Sequence, residues 1–575
     1  MNAYRSLQRA GVLLLTAAVA PAVPAQITYG GLWVTDLTLE GEYVGAKFGY
    51  AIDLMGDLDG DGVPDILVGS PEANPSGMMH AGVAYVFSGA TGQKIWEVPG
   101  QDAQDQCGFS VAAAGDVDGD GIDDMIIGAP YADFSGLVDA GAAYVLSGAD
   151  GAIIWKLQGD QSFSLYGFSV ASAGDLDGDG ICEIIVGAPE TEVNGMVGAG
   201  SVFVYNGATG GLIYRFDSPA EKWWFGSAVA NAGDVNADGY NDIVVGATFA
   251  DVINGRDNAG AAAVFSGADG QLLYQVDGQE PTDMLGNAVA GLGDLNGDGY
   301  DDFAAGVYLA SPNNTIGAGA VYVLSGYDGS LLHLFQGEQE WEKLGWSVRS
   351  AGDVTGDGVN DIITGAPITD YLGMVDAGKV EVYDGVSGQL VARFFGNEPD
   401  GRLGFAVAPG GDLDGDGHAE VLISEHRAMI QGYDNVGKVY RYAFKPCIRA
   451  DADSVSSSAG GFVTIQIDFP ADFAGDGYAI LASAAGTGPT TLDDIVVPLT
   501  PDPLYDRMLN QNPPPQILNP YGTLDAAGDA TAFFQSNPGE LSFFIGQTLW
   551  VAAISFVPVT DPVASSVALP IEVLP

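Results

Sequence analysis

The stretch Asp57-Leu58-Asp59-Gly60-Asp61-Gly62-Val63-Pro64-Asp65 decides the fold, because it returns six more times along the chain. Successive copies are 59 or 60 residues apart, and they begin at Asp116, Asp175, Asp234, Asp294, Asp353 and Asp412. A fixed period of this length is typical of a repeat architecture in which each repeat forms one structural unit.

The spacing of acids in this nine-residue loop is typical of a calcium site. Side-chain oxygens at positions 1, 3, 5 and 9 can turn inward on one hard cation, and the glycine at position 6 permits the sharp bend. Position 7 can add its backbone carbonyl oxygen, whereas zinc or copper would favour His and Cys. The sequence therefore predicts up to seven Ca²⁺ ions, held by Asp57, Asp59, Asp61, Val63, Asp65, Asp116, Asp118, Asp120, Ile122, Asp124, Asp175, Asp177, Asp179, Ile181, Glu183, Asp234, Asn236, Asp238, Tyr240, Asp242, Asp294, Asn296, Asp298, Tyr300, Asp302, Asp353, Thr355, Asp357, Val359, Asp361, Asp412, Asp414, Asp416, His418 and Glu420.

Two other interpretations of the loop are weaker. An EF-hand needs a bidentate Glu at position 12, where this chain has Val68, Ile127, Val186, Val245, Ala305, Thr364 and Ile423. Asp-Gly runs also form plain turns, but seven copies with the same acid spacing favour metal binding. Copies four to six have a lower ligand charge, because Asn236, Asn296 and Thr355 stand at position 3.

Each repeat contains four short apolar runs separated by turn residues, which predicts four strands. In the second repeat these runs begin near Ser110, Met125, Ala142 and Ala152. Seven four-stranded units close most simply into a seven-bladed β-propeller. An open solenoid is the alternative, but it would need distinct polar capping repeats. The first run of each repeat is rich in small residues, as expected of strands that converge on a propeller axis.

The repeats resemble a known family. The motifs that carry the resemblance are Phe48-Gly49, Phe225-Gly226, Leu285-Gly286, Leu344-Gly345 and Leu403-Gly404, the acidic loops, and the Gly-Ala-Pro triplets at Gly128, Gly187 and Gly365. They are similar to FG-GAP repeats, the blades of the integrin α-subunit propeller, over about residues 30–445. The resemblance implies Ca²⁺ in the loop between the first and second strands of a blade. The triplet is imperfect or lost at Gly69, Gly246, Gly306 and Ser424.

The sequence also predicts the domain boundaries. Residues 1–25 are typical of a signal peptide, with Arg5 and Arg9 before an apolar run that is too short to span a bilayer comfortably. Residues 26–447 form the propeller, in which the N-terminal strand is expected to complete the last blade and remove both exposed edges. Residues 448–575 lack the repeat and alternate apolar with polar residues, which favours a separate C-terminal β-sandwich-like domain.

Composition narrows the class of partner. The chain has 575 residues with 75 acids against 19 bases, a formal charge of −56. Such a surface should repel nucleic acid and anionic membranes, and a saline habitat is a second explanation for it. Cys107, Cys182 and Cys447 are too few and odd in number for a disulfide framework.

No catalytic constellation is recognised in the sequence. Four isolated histidines form no ligand spacing, and phosphate-loop-like segments ending at Lys379 and Lys438 continue with valine instead of Ser or Thr. The main hypothesis is therefore a secreted or cell-surface binding or adhesion protein for an extracellular protein or glycan. An extracellular polysaccharide lyase or hydrolase built on the propeller is the alternative, and a purely structural matrix component is a third possibility. Aromatic residues of the longer connections are candidates for the binding face: Tyr131, Phe134, Trp223, Trp224, Phe249, Tyr308, Trp341, Tyr371 and Tyr433.

Overall fold

The computed structural model describes residues 31–446 except 253–256 and 414–416, and beyond residue 447 it describes strands alone. The predicted signal peptide, residues 1–25, lies outside the described residues, as do Asp414 and Asp416.

Seven four-stranded antiparallel sheets follow one another along the chain and form the predicted β-propeller. Blade 1 is β2 (Ala51–Leu54), β3 (Ile66–Ser70), β4 (Val83–Phe87) and β5 (Lys94–Pro99); blade 2 is β6 (Ser110–Gly115), β7 (Asp124–Ala129), β8 (Ala142–Leu146) and β9 (Ile153–Gln158); blade 3 is β10 (Ser169–Gly174), β11 (Glu183–Ala188), β12 (Ser201–Tyr205) and β13 (Leu212–Asp217). Blade 4 is β14 (Phe225–Gly233), β15 (Asp242–Ala247), β16 (Ala261–Phe265) and β17 (Leu272–Asp277); blade 5 is β18 (Leu285–Gly293), β19 (Asp302–Val307), β20 (Ala320–Leu324) and β21 (Leu331–Gln336); blade 6 is β22 (Ser347–Gly352), β23 (Asp361–Ala366), β24 (Lys379–Tyr383) and β25 (Leu390–Phe395).

Blade 7 takes its fourth strand from the start of the described chain. Its strands are β26 (Leu403–Gly411), β27 (Glu420–Glu425) and β28 (Lys438–Pro446), and β1 (Gly31–Glu40) pairs antiparallel with β28 as the fourth. The pair is held by the guanidinium of Arg441, which donates to both carboxylate oxygens of Asp36 at 2.8–3.2 Å and to the Gly89 carbonyl at 2.6 Å. The sheet therefore leaves neither end of the ring unpaired.

The seven first strands contact one another in sequence around the ring and line its axis. The second strands are apolar and fully buried, as in Ile66, Leu67 and Val68. Each hydrophobic cluster joins two neighbouring blades; one of them combines Ile126 of blade 2 with Val186 of blade 3. The core is thus a series of interfaces between blades, each stabilised by about 1.5–3 kcal/mol per buried large apolar side chain.

Close backbone contact between blades explains the two glycines of each repeat. A Cβ atom on Gly69, at the end of β3, would lie 2.0 Å from the carbonyl oxygen of Gly108 in the next blade. Gly108 itself has φ +82°, which L side chains rarely adopt. The same contact recurs between Gly128 and Gly167, Gly187 and Gly226, Gly246 and Gly286, Gly306 and Gly345, and Gly365 and Gly404.

A second contact between blades comes from the outermost strands. The indole N–H of Trp155 in β9 donates to the Gly207 carbonyl of blade 3 at 2.7 Å, and Trp96 donates in the same way to Gly148 at 3.0 Å. The equivalent side chains of the next three blades make the same bond, namely Tyr214, Tyr274 and His333. These bonds join the outer strands of blades 1 to 5 to the blade that follows each of them.

Helical structure among the described residues is limited to two short 3₁₀ turns, Pro75–Gly77 and Pro312–Asn314. No helix in this part of the chain has the length and apolar character needed to cross a bilayer.

Beyond the propeller the described strands form three further sheets, of four, six and two strands. Their bounds are Ile448–Ala450, Ser454–Ser456, Gly461–Asp468, Gly477–Ser483, Pro489–Leu492, Ile495–Pro498, Ile517–Leu518, Tyr521–Thr523, Asp529–Ser536, Thr548–Phe556, Pro562–Ser565 and Leu569–Leu574. A separate β-sandwich-like domain in this region stays a prediction.

Candidate functional site

The acidic loops connect the first and second strands of each blade and lie together on one face, here called the metal-loop face. In the first loop, Asp57 accepts hydrogen bonds from the backbone N–H groups of Gly60, Asp61 and Gly62 at 2.7–3.1 Å. Gly62 has φ +90°, so the bend at position 6 requires glycine. The loop is therefore folded around the carboxylate of its first residue.

The middle acids of the loop are held by the same kind of bond. Asp59 accepts from the N–H of Asp61 at 3.2 Å, and Asp61 accepts from the N–H of Val63 at 2.9 Å. In the fourth and fifth loops the side-chain oxygens of Asn236 and Asn296 accept the equivalent bond at 2.9 Å. The amide oxygen thus takes the place of the carboxylate oxygen without changing the loop.

The ninth residue is buried in every loop. Asp65 accepts from the N–H of Leu58 at 2.8 Å and from the N–H of Gly89, in the turn after β4, at 3.0 Å. Burial raises the pKa of the equivalent Asp124 to about 6 and that of Asp242 to about 7, against the lowering effect of the two backbone donors. A cation bound in the loop would favour the ionised form of both carboxyl groups and lower their pKa.

Carboxylate oxygens converge in the first three loops. In each set below, the oxygens that could bind a metal lie within 4.8 Å of one another: Asp57, Asp59 and Asp61; Asp116, Asp118 and Asp124; Asp175, Asp177 and Glu183. Oxygen donors at this separation suit a hard cation such as Ca²⁺ and not a zinc or copper ion.

The described acids of the sixth and seventh loops accept the same backbone hydrogen bonds as those of the first. In the sixth loop, Asp353 accepts from the N–H groups of Gly356, Asp357 and Gly358 at 2.6–3.0 Å. In the seventh, Asp412 accepts from Gly417 N–H at 3.0 Å and Glu420 from Leu413 N–H at 2.7 Å.

Side chains at position 8 join neighbouring loops, and the sequence analysis missed them. Asp123 accepts from the N–H of Gly56 in the preceding blade at 3.0 Å, and Asp301 accepts from the N–H of Asp234 at 2.8 Å. Asn360 donates to the carbonyl of Leu292 at 2.9 Å. The periodic recurrence of Asp or Asn at this position was the available signal. These bonds couple three pairs of neighbouring blades at the metal-loop face, namely blades 1 and 2, 4 and 5, and 5 and 6.

The opposite face, here called the loop face, carries an arc of aromatic rings around the mouth of the central channel. Consecutive rings in the arc lie 4.9–5.9 Å apart, and the arc consists of Trp346, Phe405, Tyr50, Phe109, Phe168 and Trp224. All six are only half-buried. Packing between blades, the simpler explanation, accounts fully for Phe225, which is buried against Phe265, but not for the arc.

Exposed apolar side chains surround this arc at the tips of the connections. Four blades form a small hairpin there, closed by Phe134–Leu137, Val193–Met196, Tyr371–Met374 and Ile430–Tyr433. Leu372 is 81% exposed, Tyr433 58% and Trp341 53%. The other predicted aromatics are more covered, because Tyr131, Trp223, Phe249, Tyr308 and Tyr371 are half-buried.

Blade 7 departs from the other blades on this face. In place of the glycine triplet it has Ser424-Glu425-His426 followed by Arg427. Glu425 is 1% exposed, and burial followed by the charge of Glu398 raises its pKa to about 8. His426 packs on Phe405 with ring centroids 3.8 Å apart, and burial lowers its pKa well below the usual value.

Comparison with known proteins agrees with this architecture. Five segments, residues 48–87, 108–146, 225–265, 285–324 and 403–440, match the model of the FG-GAP repeat. The chain is similar to integrin alpha-5 of Xenopus laevis, with 31% identity over 242 residues, which is 39% of this chain and 22% of that protein. It is also similar to integrin alpha-V of Gallus gallus, with 33% identity over 213 residues, 35% of this chain and 20% of that protein.

These matches span about a fifth of the length of the curated relatives. Among solved structures, a europium-containing methanol dehydrogenase aligns over 72% of this chain and 93% of its own at 10% identity, with a TM-score of 0.38 that supports no conclusion. The recurring loops, the paired glycines and the matched segments lead to one assignment. The chain contains FG-GAP repeats, and its seven-bladed propeller resembles that of the integrin α-subunits.

Proposed function

We propose that this chain is a secreted binding protein, in which up to seven Ca²⁺ ions stabilise the propeller and the loop face recognises an extracellular protein or glycan. The proposal includes residues 1–25 as a cleaved signal peptide, residues 26–447 as the propeller and residues 448–575 as a separate domain. The observation that carries it is the concentration of exposed apolar side chains on the loop face.

Exposed apolar surface of this kind is uncommon on a protein that acts alone. Leu372, Trp341 and Tyr433 come from different blades but project from the same face. Contiguous apolar patches rimmed by polar residues mark interaction sites, and large apolar anchors dominate the energetics of interfaces. The loop face thus offers anchors, while the metal-loop face offers carboxylates.

Calcium would act at a distance from that surface. Each ion would be held by the loop acids at positions 1, 3, 5 and 9 and by the carbonyl at position 7. It would neutralise carboxylates that are pressed together by the fold, as in the first three loops. Because position 8 side chains couple three pairs of neighbouring blades, ions bound in those loops would also stiffen the contacts between these blades.

The calcium part is tested by thermal unfolding of the mature chain in EDTA and across a calcium titration, with elemental analysis of bound metal. A site that binds only the folded state adds about 2.7 kcal/mol at a hundredfold excess over Kd. Asp116→Asn should reduce the calcium-dependent rise in melting temperature. Asp150→Asn is the matched control, because this exposed acid lies in the β8–β9 turn of the same blade. No calcium-dependent shift in the wild type would refute the metal assignment.

The recognition part is tested on glycan and extracellular-protein arrays. Leu372→Asp and Tyr433→Asp should abolish any specific signal of the wild type. Tyr327→Asp is the matched control, since Tyr327 is 63% exposed but lies in a turn of the metal-loop face. A signal lost only in the control, or release of new reducing ends or unsaturated sugars from a bound glycan, would overturn the proposal, the latter in favour of an enzyme.

Secretion and the boundary of the first segment have their own test. The protein collected from the medium should begin at Gln26 by N-terminal sequencing. A protein that stays inside the cell and still begins at Met1 would contradict secretion and cleavage. The calcium and recognition tests would be unaffected by this result.

A further inference from the structure

The central channel carries two charged residues at one repeating position. This position is the fourth residue after the recurring glycine at the start of each repeat, such as Gly108 or Gly345. Five blades have alanine there, namely Ala112, Ala171, Ala230, Ala290 and Ala408. Blade 1 has Asp53 and blade 6 has Arg349. The inner strands approach each other closely, so a small residue such as alanine is expected at this position. Asp53 and Arg349 depart from that pattern.

Arg349 lies on the wall of the channel, and among the described residues its guanidinium has no carboxylate within 4 Å. Its Nη1 donates to the carbonyl of Val289, on the first strand of blade 5, at 3.4 Å and to the carbonyl of Val348 at 3.1 Å. Arg349 retains accessible surface although it belongs to an inner strand. Burial is nevertheless the main influence on its pKa, which it lowers. The accessible surface therefore opens into the enclosed channel and not into bulk solvent.

Asp53 forms no ion pair with this guanidinium within 4 Å, although the two opposite charges attract each other across the channel. Its carboxylate accepts from the N–H of Ala113 in blade 2 at 2.9 Å and from the N–H of Leu54 at 3.1 Å, so it is turned towards blade 2. Among the side chains that the structure describes, every Lys and Arg has a carboxylate within 4 Å except Lys156, Lys343 and Arg349. In a chain with a formal charge of −56, an unpaired cation inside the fold is unusual.

The second unpaired cation stands at the entrance to the same sector of the channel. The Nζ atom of Lys343 lies over the rings of Trp346 and Tyr308, at 5.4 and 5.6 Å from their centroids. Trp346 begins the aromatic arc and precedes the strand that carries Arg349 by one residue. A path from the loop face to Arg349 is thus lined by a cation and by aromatic rings.

We propose that the central channel binds a carboxylate group, held by the guanidinium of Arg349 and admitted past Lys343 and the aromatic arc. The planar fork of arginine matches the two oxygens of a carboxylate. A single guanidinium close to Asp53 suits a monoanion better than a doubly charged phosphate, because the second negative charge would be unpaired. The rings of the arc favour a carboxylate attached to an aromatic or apolar body.

Isothermal titration of the calcium-loaded protein with benzoate tests the proposal. Comparison of acetate with benzoate measures the contribution of the aromatic ring to affinity. Inorganic phosphate tests whether the site prefers a carboxylate to another anion, and neutral benzamide tests whether binding requires a negative charge. A dipeptide ending in phenylalanine, with a free or an amidated carboxyl terminus, separates a peptide terminus from a free small acid as the natural source.

Benzoate should bind to the wild type and bind Arg349→Met roughly tenfold to a hundredfold more weakly, the range expected for hydrogen bonds to a charged group. Asp53→Asn should bind benzoate more tightly, because a repelling charge is removed. Lys156→Met is the matched control and should bind like the wild type, since Lys156 is unpaired but lies on the outer strand β9.

Equal affinity of the wild type and Arg349→Met, or no binding of any of these carboxylates by the wild type, would overturn the proposal. If Arg349→Met fails to fold, the test rests on Asp53→Asn. A benzoate affinity of that variant equal to or weaker than that of the wild type would then overturn the proposal. The site is distinct from the hairpin tips and the metal loops, so these results do not depend on the recognition or calcium tests.

Discussion

Replacing Glu425 by glutamine should stabilise the propeller at neutral and alkaline pH and have little effect near pH 5. Glu425 lies at the end of β27 with 1% of its surface exposed, and only one of its carboxylate oxygens has a hydrogen-bond partner, the Tyr440 hydroxyl at 2.8 Å. Glu398 stands nearby and repels its charge, while Lys438 is bonded to Glu398 at 3.2 Å. Ionising this side chain is therefore costly in the folded state.

The pKa gives the sign and the size of the effect. Burial raises the pKa of Glu425 from 4.5 to about 8, so the folded chain keeps a proton that the unfolded chain loses. Between these two pH values the free energy of unfolding falls by about 1.4 kcal/mol per pH unit as the pH rises. The upper limit is ~5 kcal/mol, and we expect ~2–4 kcal/mol because water penetration relaxes buried charges. Glutamine is neutral throughout and avoids this loss.

The assay is urea unfolding of wild type and Glu425→Gln at pH 5, 6, 7 and 8.5, with calcium held in excess. Glu381→Gln is the matched control, because Glu381 is also 1% exposed but pairs with Lys379 at 3.2 Å and with Arg393. Removing that charge leaves the buried Lys379 and the half-buried Arg393 less well neutralised, so this variant should be destabilised at every pH in the series.

Two results would refute the reasoning. One is a Glu425→Gln variant that is no more stable than the wild type at pH 8.5. The other is a gain in stability that is equally large at pH 5, since an effect without pH dependence would come from packing and not from ionisation.

Three further substitutions probe the contacts that close and lock the ring, each read from the urea midpoint. Arg441→Met should lower the free energy of unfolding by ~1–3 kcal/mol, because it removes the charged bonds to Asp36, whose side chain is 30% exposed, and takes the Arg441 donor from the Gly89 carbonyl. Lys94→Met, at a surface pair, should lower it by less than ~1 kcal/mol. Equal losses would contradict a closing role for Arg441. Gly69→Ala should lower the free energy of unfolding by ~1–3 kcal/mol or more, because the added Cβ atom clashes with a facing carbonyl. Gly60→Ala, with open space around it, should lower it by only ~1 kcal/mol because of its positive φ. A larger loss in Gly60→Ala than in Gly69→Ala would contradict the glycine contact. Trp155→Phe should lower the free energy of unfolding by ~1–3 kcal/mol, because the Gly207 carbonyl loses its hydrogen-bond donor. An unchanged stability would show that this bond between blades is dispensable.

The blades were predictable from sequence because their determinants are local and repeated. The run after each loop, such as Ile66 to Val68, is apolar throughout and becomes a fully buried strand. The position of Gly62 in the loop likewise predicts a bend that the structure contains. Seven repetitions average out the irregularities of any single copy, so even blades without a complete triplet could be assigned.

The contacts between repeats were not predictable in the same way. Asp123 bonds to a backbone amide 67 residues away in the preceding blade, and the bond depends on the geometry of the ring. The burial of Glu425 and the orientation of Arg349 depend on neighbours that belong to other blades. A repeat pattern predicts the structural unit and the number of units. The surroundings of residues that depart from the pattern depend on the closed ring and are visible only in the structure.

Ring closure also imposes an order on biosynthesis. Asp36 and Arg441, which join β1 to β28, are 405 residues apart. At about 5–20 residues per second, roughly 20–80 seconds of translation separate them. During that interval six blades can form in succession while β1 waits with an unpaired edge, the kind of surface that invites aggregation. A ribosome that stops before β28 would release a nearly complete but open ring, so the fate of this protein in the cell depends on protection of its first strand until the last blade is made.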